Sequence, residues 1–290
     1  MFSGTYTAIV TPFNRAGGVD YGRLRALIDW QLANGIDGII PVGTTGESPT
    51  LDNTEHIEVI RVTAEACRGR AKVIAGTGAN STAEAVELTR HVLDLGCDAT
   101  LQVTPYYNKP NQEGLFRHFS AVADLGLPVV LYNVPGRSAR EIAVETVARL
   151  SKHPKIVAVK EAGGSVERVT AILALCNITV LSGDDSLTVP MISIGAKGLI
   201  SVASNVAPRA VSDMVRAALA GDFATARAAH QRLHPLFRDM FIDTNPIPVK
   251  AALAMMGRIE PLYRLPLCEP SDKACEQIRA TITALGLLSK

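Results

Sequence analysis

The sequence predicts an α/β protein built as a (β/α)8 TIM barrel with a small C-terminal helical appendage. Eight short apolar runs recur over roughly the first 200 residues, segments with helical spacing separate them, and the strand signal stops after Pro208. Alternating strands and helices fit either an open doubly wound sheet or a closed barrel. Eight such units favour the barrel, which a chain of 290 residues can complete as one unit.

The eight predicted strands are apolar at consecutive positions. Strands covered on both faces have this pattern, because helices pack over the outside of a parallel sheet. In chain order the runs are TYTAIV (5–10), GIIPV (38–42), KVIAG (72–76), ATLQV (99–103), VVLYN (129–133), IVAVK (156–160), TVLS (179–182) and GLISV (198–202).

Segments with helical spacing connect these strands. The clearest cover residues 21–35, 53–69 and 82–96, and each ends on a glycine, a common C-terminal signal. Residues 80–82 offer candidate N-caps for the third segment.

Beyond Pro208 only helices are predicted. The first of them closes the barrel, and the others form the appendage, which several prolines punctuate. We therefore predict a barrel over residues 1–221 and a helical region over residues 222–290.

Composition and charge disfavour several classes of protein. The chain has 29 basic and 28 acidic residues, so no electrostatic footprint for nucleic acid is visible. No run of eighteen apolar residues and no signal-peptide layout is present, so no membrane association is predicted. Five cysteines without a CxxC pair predict reduced thiols in a cytoplasmic protein rather than a disulfide framework or a zinc site.

A barrel of this class places its active site where the strands end at their carboxyl side. Lys160 ends the apolar run IVAVK there, so its side chain should project into the barrel mouth. Such a lysine can reach solvent instead, but a buried ammonium without a role is rare. Burial favours the neutral amine, which is the form that attacks a carbonyl to give a Schiff base, so Lys160 is our candidate nucleophile.

Tyrosines follow two of the strands. Tyr132 ends VVLYN, where it either packs its ring in the core or moves protons beside an imine, and both alternatives stay open. Tyr106 and Tyr107 are adjacent on an extended segment, so at most one of them faces the site.

Two glycine-rich turns follow the second and third strands. GTTGES (43–48) lacks the lysine of a P-loop, and its N–H groups with the hydroxyls of Thr44 and Thr45 either hold a carboxylate or form a capped turn. Glu47 in this turn is equally compatible with a buried structural anchor. GTGANS (76–81) lacks the third glycine of a dinucleotide fingerprint, which disfavours a nucleotide cofactor.

Acidic residues and histidines do not predict a metal site. Asp184 and Asp185 could serve acid–base chemistry or bind a cation, but we expect them to cap the next helix. The six histidines lie away from the predicted strand ends and no HExxH is present, so we expect surface helix residues.

Seven motifs in order and at barrel spacing carry a resemblance, namely GTTGES, AGTGAN, TPYYNKPNQEGL, LYNVPGR, KEAGG, SGDD and NPIPVK. Over essentially its whole length the chain resembles the Schiff-base-forming, pyruvate-dependent aldolase superfamily named for N-acetylneuraminate lyase and dihydrodipicolinate synthase. Arg137 and the spelling GTT resemble the members that condense pyruvate with L-aspartate 4-semialdehyde, rather than the sugar-acid lyases.

The resemblance implies catalytic roles for four residues. Lys160 matches the lysine that forms the imine with pyruvate, and Tyr132 matches the proton-shuttling tyrosine above it. Thr44 matches the hydroxyl that links this tyrosine to a second one. Tyr107 matches that second tyrosine, which family members donate across a tight dimer interface.

A substrate-binding set is implied in the same way. Thr45 matches the residue that holds the pyruvate carboxylate, and Gly183 and Ile200 match main-chain contacts near the site. Arg137 matches the arginine that receives the carboxylate of the second substrate, and a guanidinium fork suits that group. The implied enzyme is a homotetramer of tight dimers that uses no metal or organic cofactor and makes 4-hydroxy-tetrahydrodipicolinate for diaminopimelate and lysine biosynthesis.

Feedback inhibition by L-lysine stays open at this point. The residues that match a lysine-binding cleft of inhibited relatives are Ser48, His56, Asn80, Glu84 and Tyr106. Glu84 is the natural partner for an ammonium, although Glu84 and His56 are equally compatible with exposed helix positions. Pro49 and Asn53 depart from the pattern of strongly inhibited members.

Three functions therefore compete. The chain is the condensing synthase, a related aldolase that cleaves a sugar-derived or hydroxylated 2-oxo acid, or a non-catalytic barrel. The joint presence of Lys160, Tyr132, Thr44 and Tyr107 disfavours the third. The loop around Arg137 decides between the first two.

Overall fold

The computed structural model describes residues 2–288 and contains a closed barrel of eight parallel strands. All eight predicted strands are present, and the predicted fold class is confirmed. The strands are β1 Gly4–Ala8, β2 Gly38–Ile40, β3 Lys72–Gly76, β4 Ala99–Val103, β5 Val129–Asn133, β6 Ile156–Glu161, β7 Thr179–Ser182 and β8 Gly198–Ser201.

Each strand pairs in parallel with the next, and β8 pairs with β1 to close the sheet. β1 and β2 each end two residues before the predicted runs do, at Ala8 and Ile40. Pro41 accounts for the early end of β2, because proline has no N–H to donate to the ladder. The chain then turns sharply through Val42, whose φ of 54° lies in the left-handed region.

Helices surround the barrel and continue beyond it. They are α1 Tyr21–Ala33, α2 Asn53–Cys67, α3 Thr82–Val92, α4 Gln112–Ala123, α5 Pro135–Ser138, α6 Val144–Leu150, α7 Val166–Leu175, α8 Thr188–Ser193, α9 Pro208–Leu219, α10 Phe223–Asp239, α11 Ile247–Met255 and α12 Asp272–Ala284. Short 3₁₀ turns follow β2, β7 and β8, at Ser48–Thr50, Asp185–Leu187 and Ala203–Asn205. Of the candidate caps for α3, Ser81 accepts the hydrogen bond from the Glu84 N–H.

Side chains alternate along each strand and so create two apolar layers. Val73 and Val159 belong to the outer layer beneath the helices, whereas Ile74 and Ile200 belong to the layer that fills the barrel. Because Val159 faces outward, the next residue, Lys160, faces inward. The sheet thus directs this lysine to the barrel mouth.

The C-terminal region packs back on the barrel. The predicted boundary between the barrel and the helical region, after residue 221, falls in the turn between α9 and α10. Helix α10 packs along both α9 and α8, so the division into two regions stays a prediction. A fully buried ion pair joins Lys250 of α11 to Glu47 in the loop after β2. Residues at the two ends of the chain therefore build one loop together.

Two further observations concern membrane-spanning helices and the state of the cysteines. Within residues 2–288, no helix has both the length and the apolar composition that crossing a bilayer requires. All five cysteines are free thiols. Burial raises the pKa of Cys67 and of Cys97 to about 12, so both thiols stay protonated and unreactive at neutral pH.

Candidate active site

A cavity opens at the carboxyl ends of the strands, where the sequence places the site. Its volume is about 210 Å³, and it brings Thr44, Tyr132 and Arg137 together. The lining residues are Val42, Gly43, Thr44, Ser48, Pro49, Gly76, Gly78, Leu101, Val103, Tyr106, Tyr132, Val134, Arg137 and Ser138.

Lys160 lies on the inner face of β6 beside this cavity. Its side chain is 6% exposed, and its Nζ lies 4.0 Å from the centroid of the Tyr132 ring. The two residues are direct partners in the register of β5 and β6. Among the residues that the structure describes, none forms a hydrogen bond or ion pair with this Nζ. The amine is therefore buried but not engaged in a hydrogen bond or ion pair with the described residues, so it is available as a nucleophile.

Gly183, just after β7, leaves room for the Lys160 side chain. A Cβ at position 183 would lie 3.0 Å from Lys160 Cε and 2.7 Å from Ala162 Cβ, so a larger residue would displace one of them. The next residue, Asp184, is half-buried. Burial raises the pKa of its carboxyl, and the charge of Lys160 opposes that shift.

The loop after β2 carries the two threonines. Thr44 lines the cavity, whereas Thr45 is buried and its Oγ1 accepts a hydrogen bond from Asn245 Nδ2 at 3.0 Å. Gly46 permits the tight turn, because a Cβ there would lie 2.9 Å from the Val42 nitrogen. The geometry of this loop is therefore fixed both locally and by the C-terminal region.

The residues at the start of α11 support the site from outside the barrel. The Asn245 carbonyl accepts a hydrogen bond from Arg137 Nη2 at 3.0 Å. Burial lowers the pKa of the Lys250 amine, and the adjacent Glu47 carboxylate opposes the shift. Sequence reasoning noted NPIPVK as a motif but missed these roles, because Lys250 meets a partner 203 positions away in the chain.

The structure directs the adjacent tyrosines to different surroundings. Tyr106 is 39% exposed and lines the cavity, whereas Tyr107 is 91% exposed with a φ of 72°. The Tyr106 carbonyl accepts a hydrogen bond from Asn80 Nδ2 at 3.2 Å. Burial and the nearby Glu84 carboxylate both raise the pKa of the Tyr106 phenol. Tyr107, in contrast, is not among the residues that line this cavity.

The residues matched to a lysine cleft divide between the surface and the interior. Ser48 lines the cavity with Tyr106, and Glu84 is exposed in the first turn of α3. His56 is buried, its Nε2 lies 2.7 Å from the Gly76 carbonyl oxygen, and burial lowers its pKa. The alternative interpretation of His56 as an exposed helix residue is therefore wrong.

Two further expectations are wrong because tertiary partners do not show in local spacing. His118 is buried against α3, where its Nδ1 lies 2.9 Å from Thr82 Oγ1, and burial lowers its pKa to about 4. Asp185 does not cap the helix that follows it. Its buried carboxylate instead accepts hydrogen bonds from the Val202 and Ala203 N–H groups, each at 3.1 Å, and so anchors the loop after β8.

Sequence reasoning also missed a buried polar network on the outer face of β5 and β6. Glu161 Oε1 accepts from Asn133 Nδ2 at 2.8 Å and from the Gly163 N–H at 2.9 Å, while Oε2 accepts from Arg168 Nε at 2.9 Å. Asn133 Oδ1 accepts from the Ile142 N–H at 3.0 Å, and Arg168 donates to the Ile142 carbonyl. Burial raises the pKa of Glu161, and Arg168 opposes the shift.

The remaining predicted positions concern packing and metals. Ile200 is fully buried in the inner layer, on β8. Within residues 2–288, no group of three or more His, Cys, Asp or Glu side chains is arranged to hold a metal ion. The polar groups that line the cavity include the hydroxyls of Thr44 and Tyr132 and the guanidinium of Arg137, with the Lys160 amine beside the Tyr132 ring.

Comparisons with known proteins agree in sequence and in structure. The model of the dihydrodipicolinate synthetase family matches residues 1–285. A 4-hydroxy-tetrahydrodipicolinate synthase of Geobacter sulfurreducens is 54% identical over 275 residues, which cover 94% of each chain. A chloride-inhibited dihydrodipicolinate synthase of Acinetobacter baumannii complexed with pyruvate is 43% identical, with a TM-score of 0.97 over 99% of this chain and 100% of that one. A DHDPS of Cyanidioschyzon merolae with lysine bound is also 43% identical, with a TM-score of 0.95 over 99% of each chain.

Proposed function

The chain belongs to the dihydrodipicolinate synthetase family, and from this premise we propose that it is a Schiff-base-forming lyase that condenses pyruvate with L-aspartate 4-semialdehyde. The product is 4-hydroxy-tetrahydrodipicolinate, formed at an early step of diaminopimelate and lysine biosynthesis. The observation in this chain that carries the proposal is Lys160. Its amine is buried at the barrel mouth, beside a tyrosine ring and without a bonding partner among residues 2–288.

The proposed reaction begins when the Lys160 amine attacks the ketone carbon of pyruvate and water is lost. The resulting protonated imine withdraws electrons, so a methyl proton leaves and an enamine forms. The enamine carbon attacks the aldehyde of L-aspartate 4-semialdehyde, and the aldehyde oxygen takes up a proton to become a hydroxyl. The amine of that substrate then attacks the imine carbon and displaces Lys160, which closes the six-membered ring and frees the enzyme.

Tyr132, Thr44 and Tyr107 form the proposed proton relay. The Tyr132 ring lies 4.0 Å from the Lys160 amine, and Thr44 lines the same cavity. General acid–base catalysis requires a donor that comes within hydrogen-bonding reach of the reacting atoms, and Tyr132 would supply this donor from its phenol once the imine has formed. Tyr107 is exposed and would complete the relay in a neighbouring copy.

Two groups are proposed to bind the substrate carboxylates. Thr45 would hold the pyruvate carboxylate, with its hydroxyl oriented by Asn245. Arg137 would receive the carboxylate of L-aspartate 4-semialdehyde, because its guanidinium reaches the cavity while one of its five N–H donors binds the Asn245 carbonyl. The main chain at Gly183 and Ile200 would complete the pocket around Lys160.

Borohydride reduction in the presence of pyruvate tests the proposal. Reduction should convert the imine to a stable amine and add the mass of the adduct at Lys160, while the untreated enzyme should consume L-aspartate 4-semialdehyde together with pyruvate. A Lys155→Ala variant, which alters a lysine at the opposite end of β6, is the control and should still be labelled. Absence of the adduct would contradict the proposal. An adduct without consumption of the aldehyde would favour an aldolase that cleaves another 2-oxo acid.

We also propose that the enzyme is a homotetramer of tight dimers, located in the cytoplasm. Tyr107 is exposed, and so are Leu175 at the end of α7 and Ile194 just after α8, at 56% and 37%. Neighbouring copies would cover these side chains in the proposed assembly, and the five free thiols support a reducing compartment. Sedimentation velocity should give four times the 30.8 kDa of one chain. A fully active monomer would contradict the assembly.

L-lysine is proposed as a feedback inhibitor that binds beside Glu84. The exposed Glu84 carboxylate lies near the Tyr106 phenol, next to Ser48 at the cavity edge, and can pair with an ammonium. Isothermal titration calorimetry should detect lysine binding to the enzyme and at least tenfold weaker binding to Glu84→Gln. Equal binding to both proteins, or none to the parent, would contradict this regulation.

A further inference from the structure

We propose that Asn133, Glu161 and Arg168 are positioning residues that hold the ring of Tyr132 over the amine of Lys160. The inference rests on the proposed function, which gives Tyr132 and Lys160 their chemistry. It adds Asn133 and Glu161 on the outer face of the sheet and Arg168 on α7, which act on the inner face only through the strands.

The register of β5 and β6 places two residue pairs back to back. Tyr132 is opposite Lys160, and the next pair along the strands is Asn133 opposite Glu161. Successive side chains point to opposite faces of a strand, so the first pair faces the barrel mouth and the second faces the helices. A hydrogen bond of 2.8 Å joins the outer pair directly. Fixing the outer pair therefore fixes the inner pair, because a slip in register would move both.

The network is rigid because Glu161 is fully buried and each of its carboxylate oxygens has a donor. Arg168 supplies the opposite charge and also binds the Ile142 carbonyl, which ties α7 to the loop after β5. Removing one partner of a buried ion pair is strongly unfavourable, so displaced registers are disfavoured. The Glu161 carbonyl also accepts from the Gly183 N–H at 2.7 Å, and a Cβ at Gly183 would touch Lys160 Cε. Glu161 is thus linked to the reacting amine in two ways, as the residue next to Lys160 on β6 and through its hydrogen bond to Gly183 just after β7.

A second polar network of the same kind provides a control. Gln102 on β4 donates to Thr77 Oγ1 and Thr100 Oγ1, each at 2.8 Å, on the outer face of β3 and β4. The residues next to Gln102 on β4 are Leu101 and Val103, which carry no reacting group. Val103 is the register partner of Tyr132, so Gln102→Leu disturbs a buried network on the strand beside Tyr132 while it leaves the outer pair of β5 and β6 intact.

The test separates imine formation from proton transfer. Asn133→Asp places a second carboxylate against Glu161. At saturating pyruvate we expect borohydride to trap Lys160 as fully as in the parent enzyme. The exchange of pyruvate methyl hydrogens with D₂O and the kcat should each fall at least tenfold, while the KM for pyruvate changes less than threefold. In the double variant Asn133→Asp/Glu161→Gln, an amide donor again faces a carboxylate acceptor. Its exchange rate should be at least threefold higher than that of Asn133→Asp.

The control decides between positioning and general loss of stability. Gln102→Leu should melt at a lower temperature yet exchange methyl hydrogens within twofold of the parent rate. The inference is overturned if Asn133→Asp exchanges at the parent rate, or if both variants slow by the same factor. If Asn133→Asp does not fold, Asn133→Ser carries the same expectation without an added charge. If the parent enzyme forms no adduct with pyruvate, the proposed function fails instead, so the two failures are distinguishable.

Discussion

The centre and the rim of the barrel mouth are built in different ways. At the centre, Lys160 and Tyr132 are buried, and the strands that carry them are joined by the Glu161 network within one chain. At the rim, Arg137 and Tyr107 are exposed, and Arg137 is held by one hydrogen bond to the Asn245 backbone. Lys160 and Tyr132, which are proposed for imine chemistry, are thus preorganised by the fold. The groups proposed at the rim, Arg137 for the second substrate and Tyr107 for the proton relay of a neighbouring copy, lie outside the strands.

The largest effect is expected at the centre, for Lys160→Ala. The variant should keep its fold and lose activity by about 10³-fold or more, because the covalent intermediate can no longer form. Steady-state kinetics measures the loss, and circular dichroism checks the fold. Turnover at a normal rate would refute the nucleophile.

Lys250→Met tests how firmly the C-terminal region supports the loop after β2, which carries Thr44 and Thr45. The substitution leaves the Glu47 carboxylate buried without its partner, which costs about 3–5 kcal/mol of unfolding free energy. Denaturant titration measures this change. The double variant Lys250→Met/Glu47→Gln removes the unpaired charge and should regain at least half of the loss. Equal stability of the single and double variants would show that the charge itself contributes nothing.

Gly183→Ala tests the space around the amine. A Cβ at 3.0 Å from Lys160 Cε forces the lysine or the neighbouring loop to move, and we expect kcat/KM for pyruvate to fall roughly 30-fold, since misplaced reacting groups are costly. Gly22→Ala in α1 is the matched control, because its Cβ meets only Asp20 Oδ1, at 3.5 Å. Equal kinetics for the two variants would remove Gly183 from the site.

Arg137→Ala should affect the rim alone. We expect the KM for L-aspartate 4-semialdehyde to rise about tenfold, the order of one lost charge-assisted hydrogen bond. The KM for pyruvate should stay within twofold of the parent value, and Arg137→Lys should restore part of the affinity. An effect confined to pyruvate would place Arg137 at the centre and erase the distinction between the two regions.

The smallest effect concerns His118, buried against the helix that carries Glu84. Its folded pKa of about 4 lies below its ordinary value of 6.5, so between these values the unfolded chain binds more protons than the folded one. Stability is therefore lost as the pH falls through this window. Between pH 6 and pH 5 we expect His118→Asn to lose about 1 kcal/mol less unfolding free energy than the parent. Identical pH slopes would contradict the assignment.

The sequence was enough to predict the strands and the location of the site at the barrel mouth. Apolar runs are local signals, so they predict the strands and mark the end of β6, at Lys160, as part of the barrel mouth. That Lys160 faces inward follows from the outward position of Val159 in the folded sheet. The contacts of Asn245 and Lys250 could not be predicted, because they join positions 200 and 203 residues apart and leave no periodic signal.

Buried polar residues show the same limit. His118 and Asp185 have the local pattern of surface and capping residues, yet each is buried against a partner from another element. Spacing along one helix indicates which residues share a face, but not which neighbour covers that face. The buried network of Glu161 could not be predicted for the same reason, although Glu161 directly follows Lys160 in KEAGG.

The ion pair between Glu47 and Lys250 also has a consequence for biosynthesis. A ribosome that adds about 5–20 residues per second makes Lys250 roughly 10–40 s after Glu47. During that interval the turn that carries Thr44 and Thr45 lacks its brace, however early the strands assemble. The nascent chain therefore completes this loop only near the end of translation, and a chain truncated before Lys250 lacks the ion pair that braces it.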